Sequence, residues 1–555
     1  MKKKWVLKQI DEKLIPKVPD YPALILRLLA ARGFTEEKEI QNFLNPEYSN
    51  LIDPYKFKDM KKSVDRIQQS IEKGERIVVY ADYDADAITA CAVVYLALKK
   101  LGAEVGYYIP DRFSEGYGVN SDAIKQIASE STKLIITVDC GTNSVAETKI
   151  ALDLGVDVII TDHHEIVGER PKSFALINPK NSEDNYPYKY LTGVGVAYKL
   201  VQALMPDDEW HKWLLDLVSI GTVADLQKLD GENRILVKFG LHVLEKTRWS
   251  GLKALIDVSG ARFPMDTYTL GFLIAPRINA AGRIRHADLA FRLLITDQKK
   301  EAEDLAKQLD DLNQHRQMLT DQTLSEAREQ AERISDKPVL VVSGDDWPKG
   351  VVGLVAGRLM EEYNRPVLVI DSSGDEATGS ARSVNNFDIV GALNKSANLL
   401  TKYGGHKQAA GFSLKPENIE ALHQRLLEIA KSLDYEPTDP EITIDSEVGV
   451  RDLSWEIYEY LTKLAPFGVG NRKPKFLAKN FEVIQIRQVG ADNQHLKLTC
   501  QLEGKQFNAI AFGKGFLAAI LSSNKKFDAV FELEANEWNG NKELQLKILD
   551  IKIQE

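Results

Sequence analysis

The chain has only three cysteines, Cys91, Cys140 and Cys500, scattered over 555 residues. That spacing excludes a disulfide framework and a thiolate-built structural zinc site. Long apolar runs are missing too, with nothing near the roughly 20 residues a bilayer-spanning helix needs. The start is basic (Lys2, Lys3, Lys4), but Lys8, Asp11, Glu12 and Lys13 break up any signal-like apolar core, so a cytoplasmic location away from membrane is expected. No repeat of 20–50 residues and no low-complexity tract occurs. Net positive charge is also lacking, the formal sum being −10. Such a total does not announce a nucleic-acid binder. It nevertheless conceals local fields, and a carboxylate-rich metal site lowers the sum before its cations are counted.

What is present is an ordinary globular composition, 44% hydrophobic and 27% charged. The length predicts two to four domains. Residues 1–60 read as a helical lead-in broken by Pro16, Pro19, Pro22 and Pro54. From about 61 to 230, strands alternate with amphipathic helices in the rhythm of a doubly wound parallel sheet. A more helical stretch runs to 295. Residues 297–334 are dense in charge and free of Gly and Pro, predicting one long solvent-bridging connector helix. A second α/β domain begins with Pro338–Val342. From 443 onward, short alternating segments suggest a small β-barrel of OB type.

Four acidic or acid-histidine clusters stand at the ends of predicted strands: Asp82-Tyr83-Asp84-Ala85-Asp86, Asp139, Asp162-His163-His164 and Asp225. The apolar runs before them are Ile77–Tyr80, Leu134–Val138, Val158–Thr161 and Leu217–Ile220. Ends of parallel strands converge on one crevice. So many carboxylates and imidazoles would repel one another there unless cations sat between them. For Asp82, Asp84 and Asp86 the competing reading is an acidic loop, with Asp86 capping the following helix. For Cys140, a small residue in a tight turn is preferred over a reactive thiol. Mixed carboxylate and imidazole ligation favours Mn²⁺, with Mg²⁺ a poorer match. A paired-metal centre suits phosphoester hydrolysis, which also needs cationic groups. Candidates are Arg277–Arg283, Gly379–Ser383 and Gly404–Gly411, each of which alone reads more simply as a tight polar turn.

The C-terminal region fits a polymer. Residues 461–530 hold 11 Lys or Arg against 4 Asp or Glu, a local basic excess. Phe476, Phe481 and Phe507 lie among these charges, as stacking platforms for single-stranded bases would, although each taken singly reads better as barrel core.

In combination these motifs resemble the RecJ single-strand-specific DNA exonucleases of the DHH phosphoesterase superfamily. The carrying segments are Asp82–Asp86, Val138-Asp139-Cys140-Gly141, Asp162-His163-His164, Gly221–Asp225, Arg277–Arg283, Gly350–Ala356, Gly379–Ser383, Gly404–Gly411, Ala465–Asn471 and Asn536–Gly540, in the family's order from about residue 20 onward. The resemblance implies a DHH catalytic domain over 61–295 after a lead-in at 1–60, a connector helix at 296–335, a DHH-associated domain at 336–436 and an OB-fold at 437–555. It implies two divalent cations, held by Asp84, Asp86, Asp139, His163 and Asp225 with Asp139 bridging, and Asp82 as ligand or orienter. His164 would face the scissile phosphate and Asp162 would orient a neighbouring His. Arg112, Ser380 and Arg382 would take the 5′ phosphate, and Arg277, Asn279, Arg283, His406 and Gln408 other phosphates. The implied activity is degradation of single-stranded DNA from its 5′ end to mononucleotides, in repair and recombination, by a monomer served by a helicase and a single-strand-binding protein. Ala81 and Ala87 depart from glycines usual around the first motif, which puts the turn's fine geometry in question. Alternatives are a phosphodiesterase of short oligonucleotides or cyclic dinucleotides, whose relatives lack the terminal basic barrel, and a non-catalytic relative like the replicative-helicase subunit, whose ligands are degenerate. Inorganic pyrophosphatase would leave Arg277–Arg283 and the barrel without a task.

Overall fold

The computed structural model describes residues 3–554 apart from Phe113, Tyr117, Asn524 and Asn539. Phe113 and Tyr117, which flank the stretch just after the expected phosphate-binding Arg112, and Asn539 of the 536–540 motif, therefore lie outside the described residues. The chain divides into two compact units: Met1–Asp53, Leu226–His242 and Pro440–Glu555 form one, Pro54–Asp225 and Val243–Asp439 the other. No helix among the described residues is long and apolar enough to cross a membrane.

The larger unit opens with a five-stranded parallel sheet: β1 (Ile77–Ala81), β2 (Val105–Tyr108), β3 (Leu134–Val138), β4 (Asp157–Thr161) and β5 (Ala175–Ile177). Their order across the sheet is β2-β1-β3-β4-β5. The direction of winding reverses between β1 and β3, and ligand crevices form outside the carboxyl ends of strands at such a point. Every residue of β1 and β3 is buried, as expected of strands covered on both faces. Helix α1 (Ala85–Lys100) follows β1, and α2 (Gly193–Leu204) and α3 (Leu215–Ala224) pack against it.

Helix α3 corrects the sequence reading. Leu217–Ile220 is helical, so Asp225 ends a helix and not a strand. A short apolar run cannot be told from a buried helix by pattern alone, and here nearly every residue of the helix is buried. Ala87 lies in the first turn of α1, its amide donating to Asp84 Oδ1 (3.0 Å), so the helix starts early enough to accept alanine there.

Beyond α4 (Ala275–Ile284) runs α5 (Lys299–Arg333), 35 residues long. The long helix was expected, but not its packing. Ala302, Leu305, Leu309, Asn313, Thr320, Leu324, Ala327 and Ala331 are buried along one side, so it is no free-standing solvent bridge. The second sheet comprises β6 (Leu340–Gly344), then α6 (Val352–Tyr363), β7 (Val367–Asp371), β8 (Ala377–Arg382), β9 (Leu400–His406) and β10 (Ala409–Leu414). Its order is β9-β10-β8-β7-β6, with only β6 and β7 parallel.

In the smaller unit, Lys4–Leu7 pairs in parallel with Glu441–Ile444, a strand where the lead-in was read as helical. Five strands close a barrel: Phe476–Val489, His495–Leu502, Lys505–Ala511, Asn541–Ile553 and Lys526–Trp538, the last pairing back to the first. Phe476, Phe481 and Phe507 are buried in its core, so they are not base-stacking platforms. Alternation along pleated strands sends them inward. Arg234, 2% exposed, donates to the carbonyls of Phe43 and Leu464 and so stitches three separated stretches into this unit.

Candidate metal centre and phosphate-facing groups

The β1–α1 turn delivers Asp82, Asp84 and Asp86 at the crevice. Asp84 is the cap of α1 and Asp86 is not, reversing the competing capping assignment. The Asp86 carboxylate instead accepts from the amides of Gly193 (2.7 Å) and Val194 (2.8 Å) at the start of α2. A helix N-terminus stabilises a carboxylate in this way. Glycine is required at 193, because a Cβ there would lie 2.4 Å from the Asp139 side chain. Asp139 follows β3 in the left-handed region at φ 58°, a conformation tolerated by Asp and one that tends to gather at functional sites. Cys140 is buried, and burial raises its thiol well above the ordinary value, which leaves it a packing residue.

Asp162 ends β4. Its Oδ1 accepts from the amides of His163 (2.7 Å) and His164 (3.1 Å), and lies 2.7 Å from His164 Nδ1. Its Oδ2 accepts from Thr142 N (2.9 Å). Burial opposes ionisation of Asp162, yet these bonds and His164 hold it below the usual carboxylate range. Burial likewise opposes charge on His164, but the Asp162 bond carries it up to about 9, making it an imidazolium at neutral pH. His163 goes the other way. Burial and the charge of His164 push it down to about 3, which leaves a neutral ring suited to ligation.

His163 Nε2 lies 3.0 Å from Asp139 Oδ1, 3.8 Å from Asp225 Oδ2 and 4.0 Å from Asp86 Oδ2. Ligand atoms of Asp86, His163 and Asp225 all lie within 4.8 Å of one another, as do those of Asp139, His163 and His164. Burial, then repulsion from neighbouring carboxylates, raises Asp86 and Asp139 well above the ordinary carboxyl value. Asp82 is pushed up to about 7 by burial and by Asp84. Oδ1 of Asp82 and Oδ1 of Asp139 are buried with no hydrogen-bond partner. Carboxylates gathered this closely, with acceptors left unmatched, fit divalent cations and little else. Asp82 and Asp84 stand outside both close groups.

The basic side forms around α4, α6 and β8. Asn279 Oδ1 accepts from Ala85 N (2.9 Å), fastening α4 to the acidic turn. Arg283, near the end of α4, donates to Gly350 O (3.1 Å). Burial first, then repulsion from Arg112, Arg316 and Arg382, lowers it to about 10, with Asp84 the carboxylate opposing this. Arg112 lies over the Tyr83 ring at 5.0 Å. Arg382 Nη1 donates to Ser380 Oγ (3.0 Å), and a Cβ on Gly353 in the first turn of α6 would come within 3.1 Å of that oxygen. His406 stands beside Ala409, which pairs with Arg382 across β10. Gln408 Nε2 bonds to Asn385 Oδ1. Arg277 is engaged by Asp310 at 2.8 Å and is 11% exposed, so its charge is already balanced. Sequence reading passed over Thr192-Gly193-Val194, which anchors Asp86. The signal was there as Thr before a glycine-opened helix, a capping pattern.

Three family models match the chain: the DHH family N-terminal domain at residues 76–222, the DHHA1 domain at 336–432 and the RecJ OB domain at 444–550. The chain is 40% identical over 565 residues to the single-stranded-DNA-specific exonuclease RecJ of Bacillus subtilis, covering 100% of this chain and 71% of that one. The crystal structure of Thermus thermophilus RecJ in complex with Mn²⁺ matches with TM-score 0.86 at 29% identity, covering 100% of this chain and 80% of that one. The same protein's complex with Mg²⁺ gives 0.80 at 28% identity, covering 100% and 79%.

Proposed function

Since the chain belongs to the RecJ family and is a metal-dependent exonuclease of single-stranded DNA, we propose that it removes mononucleotides from the 5′ end by two-metal hydrolysis. The observation that carries this reading is the set of buried Asp86 and Asp139 and half-buried Asp225 around a neutral His163, facing the arginine side of the same crevice. Asp84, Asp86, Asp139, His163 and Asp225 would hold two divalent cations, Mn²⁺ by preference and Mg²⁺ as substitute, as mixed oxygen and imidazole donors suit. When bound, such ions activate water and neutralise charge on the phosphate.

The chain's own residues do the rest. His164, kept protonated by Asp162, presents a proton and a positive charge to a phosphate oxygen. Asp82 orients the acidic turn. Arg112, Ser380 and Arg382 receive the 5′ phosphate, and a terminal phosphate's extra charge suits the mutually repelling guanidiniums there. Asn279, Arg283, His406 and Gln408 hold phosphates nearer the metals, and Arg277 braces them through Asp310. In domain terms, 61–295 is catalytic, 296–335 the connector, 336–436 substrate-binding and 437–555 the single-strand-binding OB-fold. We take the protein to be a cytoplasmic monomer in repair and recombination, supplied by a helicase and a single-strand-binding protein.

The test compares 5′-labelled and 3′-labelled single strands, with a blunt duplex control, in Mn²⁺, Mg²⁺ and EDTA. Immediate release of the 5′ label as mononucleotide, absent in EDTA and on the duplex, is the expected result. Early release of the 3′ label would overturn the polarity.

A further inference from the structure

Arg316 lies on α5, six residues beyond Asp310, the partner of Arg277. Its Nε is buried with no hydrogen-bond partner. The charges it feels are mostly of its own sign: Arg358 and Arg277 oppose it, and it in turn opposes the half-buried Arg283. The carboxylate acting in its favour is Asp321, which is already bonded to Arg358 at 2.6 Å. Among the described residues no carboxylate pairs with Arg316. One helical turn earlier, Asn313 is 2% exposed and its amide oxygen has no partner either.

An ordinary surface arginine buries its stem and leaves its head in water. At Arg316 the Nε lies on the buried side without a partner, and residues three apart on a helix face the same way. A guanidinium short of an acceptor beside further arginines matches a phosphate diester, which accepts from it and from an amide NH₂. An amide end reverses by a half-turn, so Asn313 can present its NH₂ group.

We propose that Asn313 and Arg316 form a backbone-phosphate subsite for the single strand, on the α5 side of Arg283. This rests on the exonuclease reading of the crevice. The subsite takes no part in bond breaking. It adds one phosphate contact to the enzyme's grip, and so acts on KM and on salt dependence.

The test uses full-length Arg316→Gln and Arg316→Lys proteins in Mn²⁺, with 5′-phosphorylated single-stranded DNA over a range of salt. Bis(p-nitrophenyl) phosphate serves as a small diester that needs only the metal site. Arg316→Gln is expected to raise KM for the strand about tenfold, the scale of one lost charge-assisted hydrogen bond. Its kcat and its hydrolysis of the small diester should stay near wild type. The slope of log(kcat/KM) against log[salt] should flatten by about 0.7, the value for one phosphate on a single strand. Arg316→Lys should restore that slope while recovering only part of the affinity, since it lacks the planar fork. Unchanged KM and slope in Arg316→Gln would overturn the subsite, as would equal losses on strand and small diester. If Arg316→Gln fails to fold, Asn313→Asp, which sets a carboxylate against the phosphate, must raise KM, and a wild-type KM would refute the subsite. A wild-type protein that leaves single strands uncut would instead sink the exonuclease reading.

Discussion

Changing Asp82 to asparagine should make the metal-free protein more heat-stable while removing its activity. Asp82 is 2% exposed and one of its oxygens has no partner. Burial, and then repulsion from Asp84, lifts its carboxyl from an ordinary 3.8 to about 7. That difference of roughly three units, at 1.36 kcal/mol each, makes ionised Asp82 cost the fold about 4 kcal/mol. The folded value exceeds the unfolded one, so the cost is absent below about pH 4 and complete above about pH 7. At pH 5 less than half of it applies. Asparagine keeps the shape and removes the charge. In EDTA at pH 8 the melting temperature of Asp82→Asn should therefore rise by several degrees, and at pH 5 by much less. With Mn²⁺ the order should reverse, because ions that bind the folded state stabilise the intact acidic site more. Scanning calorimetry at both pH values, with and without metal, makes the comparison. An unchanged or lower melting temperature at pH 8 in EDTA would refute the reasoning. An equal gain at both pH values would show that packing, not charge, was at work.

Asp139→Ala should abolish cleavage in both metals while single-stranded DNA binding survives, and near wild-type nuclease rates would remove Asp139 from the site. Gly193→Ala sets a methyl 2.4 Å from the Asp139 side chain; Mn²⁺ affinity by titration calorimetry should fall about 10–100-fold, as when a ligand's support is disturbed. In the EDTA-treated protein His164 should titrate near about 9 by NMR, because Asp162 outweighs burial. In Asp162→Asn it should fall well below that, because burial is then opposed only by Asp225 and Asp84. A value that stays near 9 would show that another group holds the proton.

Much of this candidate site is legible along the chain because its acids and histidines come in short local clusters. Asp82–Asp86, Asp139 and Asp162-His163-His164 each sit just after a strand whose apolar run marks it, and parallel topology then brings the strand ends together. Asp225 was named for the wrong local reason. Gly221–Asp225 carried the resemblance, but the apolar run before it is a buried helix, and run length alone could not decide between the two. The phenylalanines of 476–507 show a different limit. Charge around an aromatic residue is visible in sequence, whereas which face of a pleated strand it occupies depends on register. Register turned all three inward.

What could not be read are the residues whose meaning lies in a neighbour far along the chain. Gly193 is one glycine among 36 until its missing Cβ is found to make room for Asp139. Arg277 and Arg316 are likewise indistinguishable as letters, yet one is balanced by Asp310 and the other has no carboxylate paired with it among the described residues. The difference between them is one of supply. On α5 and α6, Asp310, Asp321 and Glu362 are each taken by one arginine (Arg277, Arg358 and Arg328), so the cation left over marks where an anion belongs. Imbalance of that kind, negative around His163 and positive around Arg283, separates a cleft built for a metal-bridged phosphate from one merely lined with polar groups. Both imbalances arise at the same crevice, which is why substrate and cations are expected to stabilise it together and neither of them fully alone.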